Sequence, residues 1–336
     1  AQPKVSAEPP AAESLARGGE TRRATLPLHQ FRPVISIALP GRPRMISWSR
    51  DGNLLISTFF SHPPLLMNRN GDTKMLPSGI ARAACWNPAG RLLAVSIPTP
   101  QRGQASSQAQ IWDGYTPTQP LITLPLHARE IDGLDWSITG ELAAWEEQQI
   151  KLFHITQRYP QQAQEGITRP ISTPADMTCG NTDSLRWSPD GKWLAAGAKN
   201  GAIICWHGPT RTVHHQVQSQ GGFVYGLAWS PDSALLAAAF NDHHIEIWNV
   251  AEKRRVTQWR DLPHIPRALS FSIHNTLAIA SNTQELVLGN VRDAGPSTSH
   301  AGHWVAAWSP TRAELATLDA QTGSVLVVWE ALTPQS

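Results

Sequence analysis

Apolar residues come along this chain in short blocks separated by clusters of Ser, Pro, Asp, Asn and Gly. One stretch shows the pattern most clearly. Val224-Tyr225-Gly226-Leu227-Ala228-Trp229 is a short apolar strand, and Ser230-Pro231-Asp232-Ser233 supplies a turn in which Pro presets φ. Leu235 to Ala239 makes a second strand, and Asn241-Asp242-His243-His244 turns the chain again. Ile245-Glu246-Ile247-Trp248-Asn249 alternates apolar and polar as a third strand, and Arg254 to Trp259 forms a fourth. The pattern predicts a unit of four antiparallel strands.

The unit recurs. An aromatic residue followed by Ser or Asn and a short turn appears at Trp48-Ser49, Trp86-Asn87, Trp136-Ser137, Trp187-Ser188, Trp229-Ser230, Phe271-Ser272 and Trp308-Ser309. Successive anchors lie 38, 50, 51, 42, 42 and 37 residues apart, so each period of about 40 is one supersecondary module that must stack on its neighbours to bury its apolar faces. Small residues recur in the second strand (Leu142-Ala143-Ala144, Leu194-Ala195-Ala196, Leu315-Ala316-Thr317), as expected where strands crowd toward an axis.

Composition narrows the class. Hydrophobic residues make up 41% and charged ones 16% of 336, which excludes a disordered chain, and no run reaches the roughly 18 apolar residues of a membrane helix. A formal charge of +2 is too mild for a nucleic-acid-binding face. Cys85, Cys179 and Cys205 are odd in number and widely spaced, which argues against a disulfide framework or zinc site and favours a reducing compartment such as the cytoplasm. Residues 1–30, rich in Ala, Glu, Pro and Arg, read as a flexible tail or interdomain linker, and 332–336 as a short C-terminal tail.

The aromatic-Ser-Pro-Asp-Gly turn of Trp187-Ser188-Pro189-Asp190-Gly191, the small-residue strand and the third strand ending in Trp112-Asp113, Trp206-His207, Trp248-Asn249 or Trp329-Glu330 resemble the WD40 repeat over residues 31–331. The resemblance implies an all-β fold, a seven-bladed β-propeller of four-stranded antiparallel blades. Only Trp112-Asp113 has the name-giving dipeptide and only Gly302-His303 the Gly-His pair. The polar network that links these elements in the family is therefore expected to be missing from most blades, leaving aromatic packing to hold them together. The seventh unit runs out after its third strand at Trp329, whereas Phe31 to Ala38 has no unit of its own. This N-terminal strand should close the last blade and hide two sheet edges.

In WD40-like propellers, the loops leading into the first strand and those joining the second to the third line the usual partner face. Counting back four residues from each anchor finds Arg44, Arg82, Asp132, Asp183, Tyr225, Arg267 and Trp304, and counting back six finds Arg42, Glu130, Asn181 and Phe223 among others. Arg, Tyr and Trp are residue types that anchor interfaces. Arg44 and Arg82, with Arg42 nearby, predict contact with an acidic segment. Two Pro-, Gln- and Ser-rich insertions, about 97–108 and 156–183, break the period, and the first is expected to rise from the same face.

The paired histidines His214-His215 and His243-His244 fall in expected surface turns without ligand spacing, so no metal or cofactor is expected. No nucleophile elbow, phosphate-binding glycine loop or metalloprotease motif is present; if the chain were an enzyme, Asp132 and Asp183 would be the first catalytic suspects. The leading expectation is a monomeric, non-catalytic propeller that binds a protein or peptide as a scaffold or sensor within a larger polypeptide or complex. An enzyme or small-ligand binder using the channel mouth, and a structural subunit in an assembly, are the alternatives.

Overall fold

The computed structural model describes residues 31–101, 104–126, 131–146, 149–155, 171–172, 184–219, 222–281, 285–291, 298–301, 305–319 and 322–331. They form seven four-stranded antiparallel sheets. In six of them four consecutive strands follow one another from the inside outward. The seventh takes its outer strand from the other end of the chain: Phe31–Ala38 pairs antiparallel with Val325–Ala331, from Phe31 opposite Ala331 to Ala38 opposite Val325. Closure by the N-terminal strand therefore occurs at the residues expected for it.

The aromatic anchors end the innermost strands, and the residue after each anchor closes the adjoining turn. Ser49, Ser188 and Ser230 accept through Oγ from the backbone N–H of Leu54, Trp193 and Leu235, each at 2.9 Å, and Asn87 does the same through Oδ1 for Leu92 at 2.8 Å. The hydroxyls of Ser188 and Ser230 in turn donate to Asp190 and Asp232. This explains the Ser or Asn after the aromatic residue in blades one to six, where a short side chain satisfies the first N–H of the returning strand; Ser137 and Ser272 do the same for Glu141 and Thr276.

The core is a ring of seven apolar layers, one between each pair of adjacent blades. Between blades three and four, for example, Trp145, Ile150 and Leu152 pack against Trp187, Leu194 and Trp206. The layer between blades seven and one brings Trp48, Leu55 and Phe59 against Ala316, Leu326 and Val328. Second-strand alanines such as Ala144, Ala196, Ala238 and Ala316 are wholly buried, and the indole N–H of Trp48, Trp86 and Trp229 donates to the backbone oxygen of Ala307, Ser47 and Arg186 on the preceding blade. Ten of the tryptophans are buried core residues, so aromatic packing does hold the ring. The expected gaps in the polar network are also seen. The Trp329 indole donates to Thr317 at 2.8 Å, whereas that of Trp112 is buried with no acceptor among the described residues.

The first insertion is ordered as strand. Leu92–Gln101 and Gln104–Asp113 pair continuously from Leu92 opposite Asp113 to Gln101 opposite Gln104, so the period is broken by a lengthened hairpin in blade two. Of the second insertion, the described part is Ile171–Ser172, the outer strand of blade three; its remainder, 156–170 and 173–183, lies outside the described residues, as do 1–30 and 332–336.

Candidate functional site

The innermost strands carry an irregularity at a constant place. Their pairing with the second strand slips between Pro43 and Met45, Ile131 and Gly133, Val224 and Gly226, and Pro266 and Ala268. The residue skipped in each case is the one four positions before the anchor: Arg44, Asp132, Tyr225 and Arg267. A bulge adds one residue to one strand and turns its side chain out of the regular alternation, which applies to Arg44, Tyr225 and Arg267 among the described side chains. In blades two, four and seven the innermost strand is shorter (Ala84–Trp86, Leu185–Trp187, Ala306–Trp308), and the equivalent residues, Arg82, Asp183 and Trp304, precede it.

Two of the bulged side chains meet aromatic rings. The Arg44 guanidinium lies 5.5 Å from the ring centre of Phe60, which sits in the loop joining the second and third strands of blade one. The Arg267 guanidinium lies 4.7 Å from the ring centre of Tyr225 on the next blade, and Tyr225 meets Phe223 edge to face at 6.5 Å. Blades five and six can approach this closely because residue 226 is Gly: a Cβ there would come within 2.7 Å of the Arg267 carbonyl oxygen. Arg42 packs beside Gly323, in the corresponding loop of blade seven. Phe60 is 70% exposed, and Phe223 and Ile80 are each 42% exposed, large apolar residues set among Arg44, Arg267 and Arg82.

Of the expected face residues, the described structure thus pairs Tyr225 with Phe223 and Arg267, and Arg44 with Phe60, while Arg42 and Arg82 stand on blades one and two. Asp132 lies in the innermost strand of blade three with its side chain undescribed, and Glu130, Asn181, Asp183 and Trp304 lie outside the described residues. Phe60 escapes the sequence pattern, because counting back from each anchor never samples the loop beyond the second strand. A search for exposed aromatics after each small-residue strand would reach it.

A second ring, one residue before each anchor, lines the central channel. Cys85, Asp135 and Arg186 on blades two to four stand against Ala228, Ser270 and Ala307 on blades five to seven, around a cavity of about 260 Å³ and a smaller one of about 90 Å³. Asp135 accepts from the Trp187 backbone N–H at 2.6 Å, and Ser270 likewise from Trp308 at 2.9 Å, so this ring also laces neighbouring blades. Burial pushes the Asp135 carboxyl above the ordinary carboxylate value, against the opposing pull of Arg186 and Arg50. Burial also raises the Cys85 thiol well above its usual range, with Asp135 adding to it, so Cys85 is held as a thiol. The ring was legible at the anchors themselves, one position back.

Three of the four paired histidines correct the expectation of surface turns; His243 does sit in one, Asn241 to His243. His214 and His215 lie on the outer strand Thr212–Gln218, His214 against Trp193 with ring centres 4.4 Å apart and His215 against Trp248 at 5.5 Å. His244 is buried, stacked on Phe240 at 4.2 Å and bonded through Nδ1 to Asp242. The spacing concealed this because His244 begins the third strand, where alternate positions face the next blade. Beside it Glu246 accepts from Trp248 at 3.1 Å and pairs with Arg255 at 3.0 Å. Among the described residues, no three His, Cys, Asp or Glu side chains come together as a metal site.

The four-stranded blades, aromatic-Ser turns and N-terminal closure define a WD40-type seven-bladed β-propeller. Two of its repeats match the family model described as WD domain, G-beta repeat, at residues 178–207 and 209–249, in blades four and five. Among solved structures, a chain of the Crystal Structure of Mitotic Checkpoint Complex is similar with TM-score 0.74 at 18% identity, covering 96% of this chain and 100% of that one. The beta-propeller domain of Myceliophteria thermophila Cps50 (Swd1) is similar with TM-score 0.68 at 17% identity, covering 89% of this chain and 100% of that one. Both likenesses concern the fold. WD40 propellers typically act as protein-interaction scaffolds and are generally non-catalytic.

Proposed function

We propose that this chain is a non-catalytic protein- or peptide-binding module whose partner seats on the face built by Arg42, Arg44, Phe60, Arg82, Phe223, Tyr225 and Arg267. The observation that carries the reading is the bulge: four blades place an extra residue at the same position, and in three of them it is Arg or Tyr. Guanidinium groups held over aromatic rings are ordered before any partner arrives, which lowers the entropy lost on binding. Four Arg around exposed Phe60, Phe223 and Ile80 fit a segment that offers carboxylates beside apolar side chains. The large apolar residues exposed on the outer strands, Val34, Met75, Val213 and Val256, occur one per strand and carry no aromatic ring, which favours the face over the sides of the blades. Asp132, Asp183, Asn181, Glu130 and Trp304, at the corresponding sequence positions before their anchors, are proposed as further contacts, and residues 1–30 as a linker within a larger assembly.

The test is affinity capture by the intact chain, analysed by mass spectrometry beside a variant carrying Arg44→Ala, Arg82→Ala, Tyr225→Ala and Arg267→Ala. The variant is expected to melt within a few degrees of the parent and to lose the captured partner. Retention of the same partner at the same yield would place binding elsewhere.

A further inference from the structure

The seam between blades four and five is built differently from the one before it. The third strand of blade four packs Ala202, Ile204 and Trp206 toward blade three, whereas the third strand of blade five, His244–Asn249, turns His244, Glu246 and Trp248 toward blade four. His244 and Glu246 are each only 2% exposed, so titratable groups stand here where other seams hold aliphatic ones. Facing them, the outer strand of blade four, Thr212–Gln218, and the residue after it supply His214, His215 and Ser219. His214 Nε2 donates to the Val250 carbonyl at 3.0 Å, the His215 ring packs on Trp248 with centres 5.5 Å apart, and the Ser219 hydroxyl donates to Glu246 at 3.4 Å. Two of these three contacts are made by imidazoles.

The surroundings of His215 suit its neutral form. Among the described residues, its buried Nε2 has no hydrogen-bond partner. Both oxygens of Glu246 are engaged, one by the Trp248 indole at 3.1 Å, the other by Arg255 at 3.0 Å and by Ser219. Elsewhere on this side of blade five, Asp242 is bonded to His244, Glu252 pairs with Arg254 at 3.1 Å, and Lys253 is a cation. From its own blade His215 meets His214 beside it and Cys205 opposite, a thiol that burial pushes up to about 12 and so keeps neutral. Burial, and after it His214 and Lys253, hold the His215 pKa below the ordinary 6.5. An imidazole that must charge without a partner loosens the packing around it.

We propose that this seam is an acid-released joint: a proton taken up by His215 frees the strand Thr212–Gln218 from blade five. Above 6.5, His215 is neutral whether the seam is closed or open, and the contacts hold in full. As pH falls below that value the open form takes up the proton first, so the closed form loses ground until its own lower pKa is passed. Burial would raise the Glu246 pKa, but the bonds it accepts outweigh this and hold it below the ordinary 4.5, so Glu246 keeps its charge as the joint opens. The strand leads through Ser219 to Phe223 and Tyr225, and its release slackens one end of the segment that carries them.

Hydrogen exchange of the whole chain, read by mass spectrometry at about pH 7.5 and about pH 5.5, tests this when the parent is compared with His215→Phe, which keeps a ring against Trp248 and takes up no proton. After correction for the chemical pH dependence of exchange, peptides within 212–218 of the parent should exchange faster at the lower pH by up to about tenfold, the most that one proton gives one pH unit below 6.5. The same peptides of His215→Phe should stay level. His215→Gln, which gives up the ring contact but is likewise uncharged, should also stay level, and Lys253→Gln, which removes a neighbouring cation, should fall between. Equal acid acceleration in the parent and in both His215 variants overturns the proposal. So does an acceleration spread evenly over all seven blades, or none in the parent.

Discussion

At the residue scale, the turn after each aromatic anchor is where single side chains matter most. The Ser188 hydroxyl caps the Trp193 N–H and donates to Asp190, so Ser188→Ala leaves a buried donor unmet and should lower stability by about 1 kcal/mol, measurable by denaturant titration. Asp51, Asp190 and Asp232 occupy the same place in blades one, four and five. Burial alone would raise their pKa values, but bonds from the neighbouring Ser hydroxyl and from backbone N–H groups outweigh it and hold all three below the ordinary value of 3.8. A carboxyl whose folded pKa is depressed binds fewer protons folded than unfolded near that value. Its contribution is complete above 3.8 and is lost as pH falls through the lower folded value. Replacing all three by Asn should therefore flatten the acid limb of a melting-temperature profile while leaving its neutral region nearly parallel. The anchor, the Ser and the Asp were all readable from the sequence because turn chemistry is local. The burial of His244 was not, since it depends on which face of a third strand meets the next blade.

At the element scale, the strand pattern carried most of what the structure shows. Val224–Trp229 and Arg254–Trp259 have the bounds expected from alternation and turn residues, and Phe31–Ala38 lies where an unpaired end needed a partner. The bulges could not be read this way. Alternation predicts an uninterrupted ladder, and the skipped residue shows only when the register of two strands is compared. The lengthened hairpin of blade two was hidden for a different reason: Pro98 and Pro100 depress strand propensity, yet they are tolerated beyond the point where the innermost strand, Ala84–Trp86, stops pairing. Removal of residues 31–38 should convert the cooperative melt to one at markedly lower temperature, because the outer edge of Val325–Ala331 and the Phe31 packing on Trp308 are lost together. An unchanged melt would show that the ring does not depend on its closing strand.

At the scale of the whole molecule, seven inter-blade layers make a closed ring, and ion pairs repeat across it. Arg69, in the outer turn of blade one, bonds the Gly52 carbonyl and reaches Glu314 at the start of the second strand of blade seven, and Arg211 reaches Glu141 from blade four to blade three in the same way. Arg69→Ala would leave the Glu314 carboxylate nearly buried and unpaired, and a loss of about 1–3 kcal/mol is expected on denaturant unfolding. The ring supplies two surfaces with different chemistry, a rim of Arg and aromatic residues for a partner and a charged channel behind it. The rim is the claim on which the functional account rests, and capture of a partner by the parent and by the Arg44, Arg82, Tyr225 and Arg267 alanine variant, with melting curves recorded on both, tests it most directly. The account predicts matching melts with the partner captured only by the parent; equal capture by the variant would contradict it.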